Sequence, residues 1–183
     1  MKKFVTTLAM LLLFVVGCTE QMSVNTPVDN STKKIEWLTI KTDHSLSVEG
    51  TKTWYKSIIG ANGATFYSTK NLCEYTSAYV KIQVPAGAFT GTKIISATLN
   101  CETLYADFAP TPMTFNTPVY YTVEYRGVDL SGIDPTNLDF FYIDGYGNMV
   151  KATYDNIYVD VVNNKLGVVN AQLPHFSRYG FVN

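Results

Sequence analysis

Two segments fix the period of this chain. In Ser77–Val84, Val80, Ile82 and Val84 alternate with Tyr79, Lys81 and Gln83 until Pro85 stops the run. In Phe115–Tyr125, Val119, Tyr121, Val123 and Tyr125 alternate with Tyr120, Thr122 and Glu124. Successive side chains of a strand point to opposite faces, so a strict period of two buries one face and wets the other. A surface helix would need apolar residues three and four apart, and no stretch offers a convincing pattern of that kind. Only 16% of residues are charged, while there are 13 Tyr and 10 Phe, a balance suited to pleated, half-buried surfaces. The fold class expected is all-β, an antiparallel β-sandwich.

The remaining strands are predicted between turn signals. Ile35–Thr42 and Ser45–Glu49 read as short strands about the turn Thr42-Asp-His-Ser45. Gly50–Thr76 is the least regular region: Trp54, Tyr55, Ile58 and Ile59 fit a short helical turn or an irregular cover, broken by Gly60-Ala-Asn-Gly63. Pro85–Gly91 is a turn-rich loop and Thr92–Glu102 a strand. Asp107–Thr114, with Pro110 and Pro112, reads as a loop, and so does polar Gly127–Asn137. Leu138–Ile143 and Met149–Thr153 flank Asp144-Gly-Tyr-Gly-Asn148 as a hairpin. Ile157–Val162 and Lys165–Ala171 flank Asn163-Asn164, a two-residue turn because Asn tolerates positive φ. A last strand is expected over Phe176–Val182. Roughly nine short strands separated by turn signals predict two packed antiparallel sheets.

Ahead of this body the character changes. Lys2 and Lys3 precede an apolar run from Leu8 to Val16, and Gly17 stands directly before Cys18. A charged head, a short apolar centre and a small terminal residue make the layout of a secretory signal. The apolar run is about half the length a membrane-spanning helix needs. Val15-Val16-Gly17-Cys18 also resembles the lipobox of bacterial lipoproteins. That resemblance implies cleavage before Cys18, a diacylglycerol on the Cys18 thiol and fatty acylation, such as palmitate, on the new amino end. It places the protein in the bacterial cell envelope, lipid-anchored in the outer membrane on its periplasmic or surface face. The expected organisation is a lipoprotein signal peptide over 1–17, the lipidated cysteine and a flexible tether over 18–34, and a β-sandwich domain over 35–183. The tether assignment rests on a polar, Ser-, Thr- and Asn-rich stretch with no period.

Charge excludes one class of partner. Without Lys2 and Lys3, the 14 Lys and Arg fall to 12 against 15 Asp and Glu, so there is no electrostatic footprint for nucleic acid. Nor is there a polybasic patch for anionic lipid, and attachment to a membrane falls to the acyl chains. With Cys18 assigned to lipid, Cys73 and Cys101 remain: a candidate disulfide in an oxidising compartment, or two buried thiols. No cofactor or metal is expected. Cys73, Cys101, His44 and His175 lack the close ligand pair of a zinc site, and Asp129, Asp134 and Asp139 lack the spacing of a calcium loop.

Three further motifs carry a family resemblance. Val84-Pro-Ala-Gly-Ala-Phe89 follows a strand, Phe115-Asn-Thr-Pro-Val119 opens another, and His175-Phe-Ser-Arg-Tyr179 stands near the end. In this order they resemble the ZU-five domain, the β-sandwich module of zonula occludens proteins, ankyrins and netrin receptors, over about residues 80–182. Some relatives cut themselves between Phe and Ser of a His-Phe-Ser tripeptide. The resemblance therefore makes His175, Phe176 and Ser177 a candidate self-cleavage site. Ser177 Oγ would attack the Phe176 carbonyl, His175 would take the proton, and water would hydrolyse the resulting ester. Only Ser177–Asn183 would be released, and the competing reading makes Phe176 a core plug flanked by backbone-bonding His175 and Ser177.

No firm catalytic residue emerges, because nucleophile-elbow, zinc-protease and phosphate-loop motifs are missing. The expected function is a non-enzymatic binding, adhesion or envelope-organising role, toward an unknown protein or glycan ligand. One alternative is a carbohydrate-binding surface lipoprotein with Tyr120, Tyr146, Tyr154 and Tyr158 as a stacking surface. The other is the self-cleaving domain.

Overall fold

The alternating runs become strands whose two faces are a core and a solvent surface. The computed structural model describes residues 36–39, 50–100 and 102–183. The expected signal peptide, Cys18, the expected tether, His44, the strand expected over Ser45–Glu49 and Cys101 lie outside the described residues. Eleven strands follow in order: β1 (Lys52–Ile59), β2 (Ala64–Asn71), β3 (Ser77–Val84), β4 (Thr92–Leu99), β5 (Tyr105–Ala109), β6 (Met113–Arg126), β7 (Asp139–Ile143), β8 (Met149–Lys151), β9 (Asn156–Asp160), β10 (Lys165–Phe176) and β11 (Arg178–Val182). No helix occurs among the described residues. One sheet has the order β1-β4-β5-β11-β7-β8 and the other β2-β3-β6-β10-β9. Every ladder is antiparallel.

The two sheets bury one core between them, which makes the fold a β-sandwich. Val80, Ile82 and Val84 of β3 and Val119, Tyr121, Val123 and Tyr125 of β6 face inward, as their alternation requires. Ile95, Ala97 and Leu99 of β4 and Tyr179 and Phe181 of β11 meet them from the other sheet. Each large side chain so removed from water stabilises the fold by about 1.5–3 kcal/mol before entropy is counted.

Four sequence expectations are corrected. Trp54 to Ile59 is neither a helical turn nor an irregular cover. It belongs to β1, which pairs with β4 from Lys52↔Leu99 to Ile59↔Thr92. The period is disguised by Lys56, which shares the face of buried Trp54 and Ile58 yet reaches solvent from an edge strand. Second, the Asp107–Thr114 loop shrinks to Pro110–Pro112. Phe108 is buried opposite Ala97, so β5 continues to Ala109. Third, the β9–β10 connection spans four residues rather than two. Asp160 accepts the Asn163 backbone N–H at 3.0 Å, and of the two asparagines only Asn164 takes positive φ. Fourth, the last strand is divided: β10 ends at Phe176 in the five-stranded sheet, and β11 starts at Arg178 in the six-stranded one. Among the described residues ahead of β1, Trp37 and Thr39 form isolated bridges with Val182 and Thr103.

The chain also changes sheet at residues 60–63. Gly60 is required there, because a Cβ would stand 2.0 Å from the Phe89 carbonyl oxygen of the loop beneath. The open edges of β1 and β2 are joined by side chains. Trp54 Nε1 donates to the Ser68 carbonyl at 3.0 Å, and Lys70 Nζ donates to the Thr53 carbonyl while lying over the Trp54 ring. Backbone acceptors that no strand covers are thereby satisfied. In β10 the register against β6 shifts between Val168 and Ala171. Asn170 sits in this bulge at φ 51°, its backbone N–H donating to Thr122 Oγ1 and its amide to Asp155.

Among the described residues, Tyr121 Oη is the buried side-chain polar atom that lacks a hydrogen-bond partner. Removing a buried unsatisfied hydroxyl removes its desolvation cost, so Tyr121→Phe should leave stability unchanged or raise it by about 1 kcal/mol. A denaturation midpoint below that of the native chain would contradict this. Burial pushes the Tyr121, Tyr125 and Tyr179 hydroxyls above the usual tyrosine range. Their neutral forms favour the folded state, so this contribution is whole below the ordinary tyrosine pKa of about 10 and fades as pH rises past it. Thermal melting should therefore fall steeply in alkaline buffer, more so than for a Tyr121→Phe/Tyr125→Phe double variant.

Candidate functional site

The three motifs singled out in the sequence meet at one end of the sandwich. Asn116 ties the second to the first, its backbone N–H donating to the Ala88 carbonyl at 2.9 Å and its amide to the Gly87 carbonyl at 3.1 Å. Phe89 and Phe115 have ring centroids 6.3 Å apart, and Phe115 meets Phe176 edge-on at 4.7 Å. Phe176 stacks on Phe108 at 5.4 Å, and Phe108 in turn meets Tyr121 and Tyr179 edge-on.

Within this corner the three candidate self-cleavage residues have separate employments. Phe176 is buried in the core. The His175 ring packs edge-on against Tyr142 at 5.1 Å. Ser177 Oγ donates to the Arg178 carbonyl at 3.3 Å, and the Ser177 carbonyl accepts the Phe108 backbone N–H at 3.1 Å. Attack on the Phe176 carbonyl would need that hydroxyl to surrender its proton to a base, and here its partners are the Arg178 carbonyl and the Tyr179 side chain. The His175 carbonyl accepts the Tyr179 hydroxyl at 2.7 Å. Burial and then Tyr142 raise the pKa of that hydroxyl, against the opposing pull of its bonds to His175 and Ser177.

The three aspartates of the oxygen-rich stretch are engaged one by one. Asp129 accepts the Ser131 backbone N–H and Asp134 that of Thr136, both at 2.9 Å. Asp139 takes the Phe140 N–H, the Tyr154 hydroxyl and Lys151. Among the described residues, no group of three or more His, Cys, Asp or Glu is arranged to hold a metal ion. Cys73 is disulfide-bonded, and Cys101 lies outside the described residues.

Of the four tyrosines considered for stacking, two share a surface. Tyr120 on β6 and Tyr158 on β9 lie on the outer face of the five-stranded sheet. Tyr146 is 94% exposed on the β7–β8 turn, and Tyr154 is held by Asp139 and Lys151. Register adds Tyr67 and Tyr79 to the outer face, with ring centroids 6.3 Å apart. One row across the sheet reads Thr65, Gln83, Tyr120, Gln172. The next holds Tyr67, Lys81 and Thr122, and the third Thr69, Tyr79, Glu124, Gly167 and Tyr158. Tyr79 is legible from the β3 alternation, but Tyr67 is hidden because no clean alternation marks β2 as a strand.

Tyr158 lies across Gly167, where a Cβ would stand 2.5 Å from its ring. Its hydroxyl donates to Glu124 Oε2 at 2.5 Å, and Arg126 pairs with the other Glu124 oxygen. Burial, followed by the Glu124 carboxylate, pushes the Tyr158 hydroxyl up. Burial would raise the Glu124 carboxyl too, yet Tyr158 and Arg126 together hold it below the usual glutamate range.

No protein-family model matches the chain, and neither does any curated protein or any solved structure.

With the Ser177 hydroxyl directed at Arg178, the purified chain should retain Ser177–Asn183. Intact-mass measurement of the native chain beside Ser177→Ala should give no species shortened by that peptide. A shortened species found only with the native serine would establish cleavage at Phe176–Ser177.

Proposed function

We propose that this protein is an exported, lipid-anchored β-sandwich that works by binding, in adhesion, assembly or organisation of the bacterial cell envelope. The observation that carries the reading is Cys18, placed directly after Gly17 at the end of a charged-then-apolar leader. A cysteine at that point is what a lipid-transfer and cleavage step needs, and a short apolar run is what export requires. The acyl chains then fix the protein to the membrane, since its charge would not. The domain is proposed to be ZU-five-like over about residues 80–182. The convergence of Phe89, Phe115 and Phe176 in one aromatic cluster supports treating the three motifs as a set. Partners follow from the site and not from the fold, so those of animal relatives do not transfer. A second reading, a carbohydrate-binding surface lipoprotein, is favoured by the tyrosines gathered on the outer face of the five-stranded sheet.

Cells expressing the full chain in radiolabelled palmitate should incorporate label, and the protein should sediment with the outer membrane. Cys18→Ala should abolish the label and release the protein from that fraction. An unlabelled native chain would refute lipid anchoring.

A further inference from the structure

The outer face of the five-stranded sheet is unusual in what it omits. β2, β3, β6 and β9 turn Thr65, Tyr67, Thr69, Tyr79, Lys81, Gln83, Tyr120, Thr122, Glu124, Arg126 and Tyr158 outward, and aliphatic groups enter this face sparsely, as half-buried Val169 of β10 opposite Asn156 and Pro118 of β6. A protein partner would need apolar anchors in desolvated pockets at the centre of its interface, and the exposed centre of this face holds tyrosine, threonine, glutamine and lysine instead. A nucleic acid would need a positive field. Here the Arg126 charge is paired with Glu124, and Asp160 lies opposite Lys165. What the face does supply is aromatic rings interleaved with amides, hydroxyls and, beside Tyr67, the Lys81 side chain.

The geometry points to a binding site for an extended, neutral polysaccharide, with Tyr67 and Tyr79 as the principal stacking platform and Gln83 and Gln172 as hydrogen-bonding partners. The apolar face of a pyranose ring packs on an aromatic ring, and its equatorial hydroxyls bond amides alongside. Tyr67 is 67% exposed, so its ring is available to a ligand. It lies two strand spacings from Tyr120, about 10 Å across the sheet, so a sugar chain laid over both would pass Lys81 and Gln83. Rigid, two-torsion tyrosines contribute contact area at low entropic cost, and an open sheet face is a surface on which a long polymer can lie. Tyr158 acts differently, because its hydroxyl is committed to Glu124 and its ring closes the far side of the platform over Gly167.

This inference deepens the reading of the protein as an envelope binding module and names the ligand class. Its test uses the full chain carrying Cys18→Ala, so that it does not depend on lipidation. Affinity electrophoresis in gels containing a soluble β-glucan, xylan, galactomannan or α-glucan should retard the protein in at least one polymer. Tyr67→Ala and Tyr79→Ala should each weaken that retardation tenfold or more, while Tyr67→Phe, which keeps the ring, should retain it. Tyr55→Ala is the control, because Tyr55 is 71% exposed on the other sheet, and it should bind as the native chain does. Unchanged melting temperatures would separate lost binding from lost folding. Retardation by none of the polymers, or retardation that Tyr67→Ala and Tyr79→Ala leave intact, would overturn the assignment. Binding confined to an acidic polysaccharide and abolished by salt would overturn it equally. Failure of palmitate labelling with polysaccharide binding intact would instead sink the anchor and leave this site standing.

Discussion

Phe176 is where the sandwich is fastened. It is the last residue of β10 in one sheet, and two positions later the chain runs as β11 in the other. Its ring fills the space between Phe108 of the six-stranded sheet and Phe115 of the five-stranded one. A crossing of that kind exposes backbone polar groups, and each must find a partner. Here the Ser177 carbonyl accepts from Phe108 and the His175 carbonyl from Tyr179. The tripeptide that suggests chemistry in the sequence thus has a structural occupation that accounts for each of its members. Tyr179, Phe108 and Tyr121 extend the cluster into both sheets, so the corner and the core are one packing unit.

The second constraint is the treatment of edges. An uncovered strand invites another chain to pair with it. β8 and β9 limit this by being short, with three and five residues. β1 and β2 are eight residues each and use another device: Trp54 and Lys70 reach across from one sheet to the other and occupy carbonyls on the partner's edge. Lys56, inward-facing and charged, further discourages addition of a strand to β1. The outer face behind β2 is left free of such guards, and it is there that Tyr67 and Tyr79 stand.

How much of this is legible in the sequence depends on where burial is one-sided. β3 and β6 pass through the middle of their sheet, one face dry and one wet, and their alternation is clean enough to give side-chain direction from sequence. β1 and β2 are edges, where Lys56 can sit on the inner face and Tyr55 and Ile59 on the outer, so the pattern blurs. Asp107 hides β5 because its partner, Arg178, lies 71 residues away. The His175–Ser177 motif is visible, but the direction of its hydroxyl is not. Tyr120 and Tyr158 stand on strands whose outward positions the sequence marks, and the structure puts them on one surface. Tyr67 joins them only through the pairing of β2 with β3, and Tyr146 and Tyr154 leave them for the same kind of reason.

The sequence by itself determined the class of structure and the side of each central strand that faces the core, because side-chain alternation is a property of neighbouring residues. It also contained the charged-then-apolar stretch ending at Gly17-Cys18 as a contiguous pattern. Only the tertiary structure decided which strands lie together, that β1 and β2 belong to different sheets, and that Phe89, Phe115 and Phe176 form one cluster. Those outcomes depend on burying apolar faces against partners far away in the chain, and no local pattern encodes the choice among them.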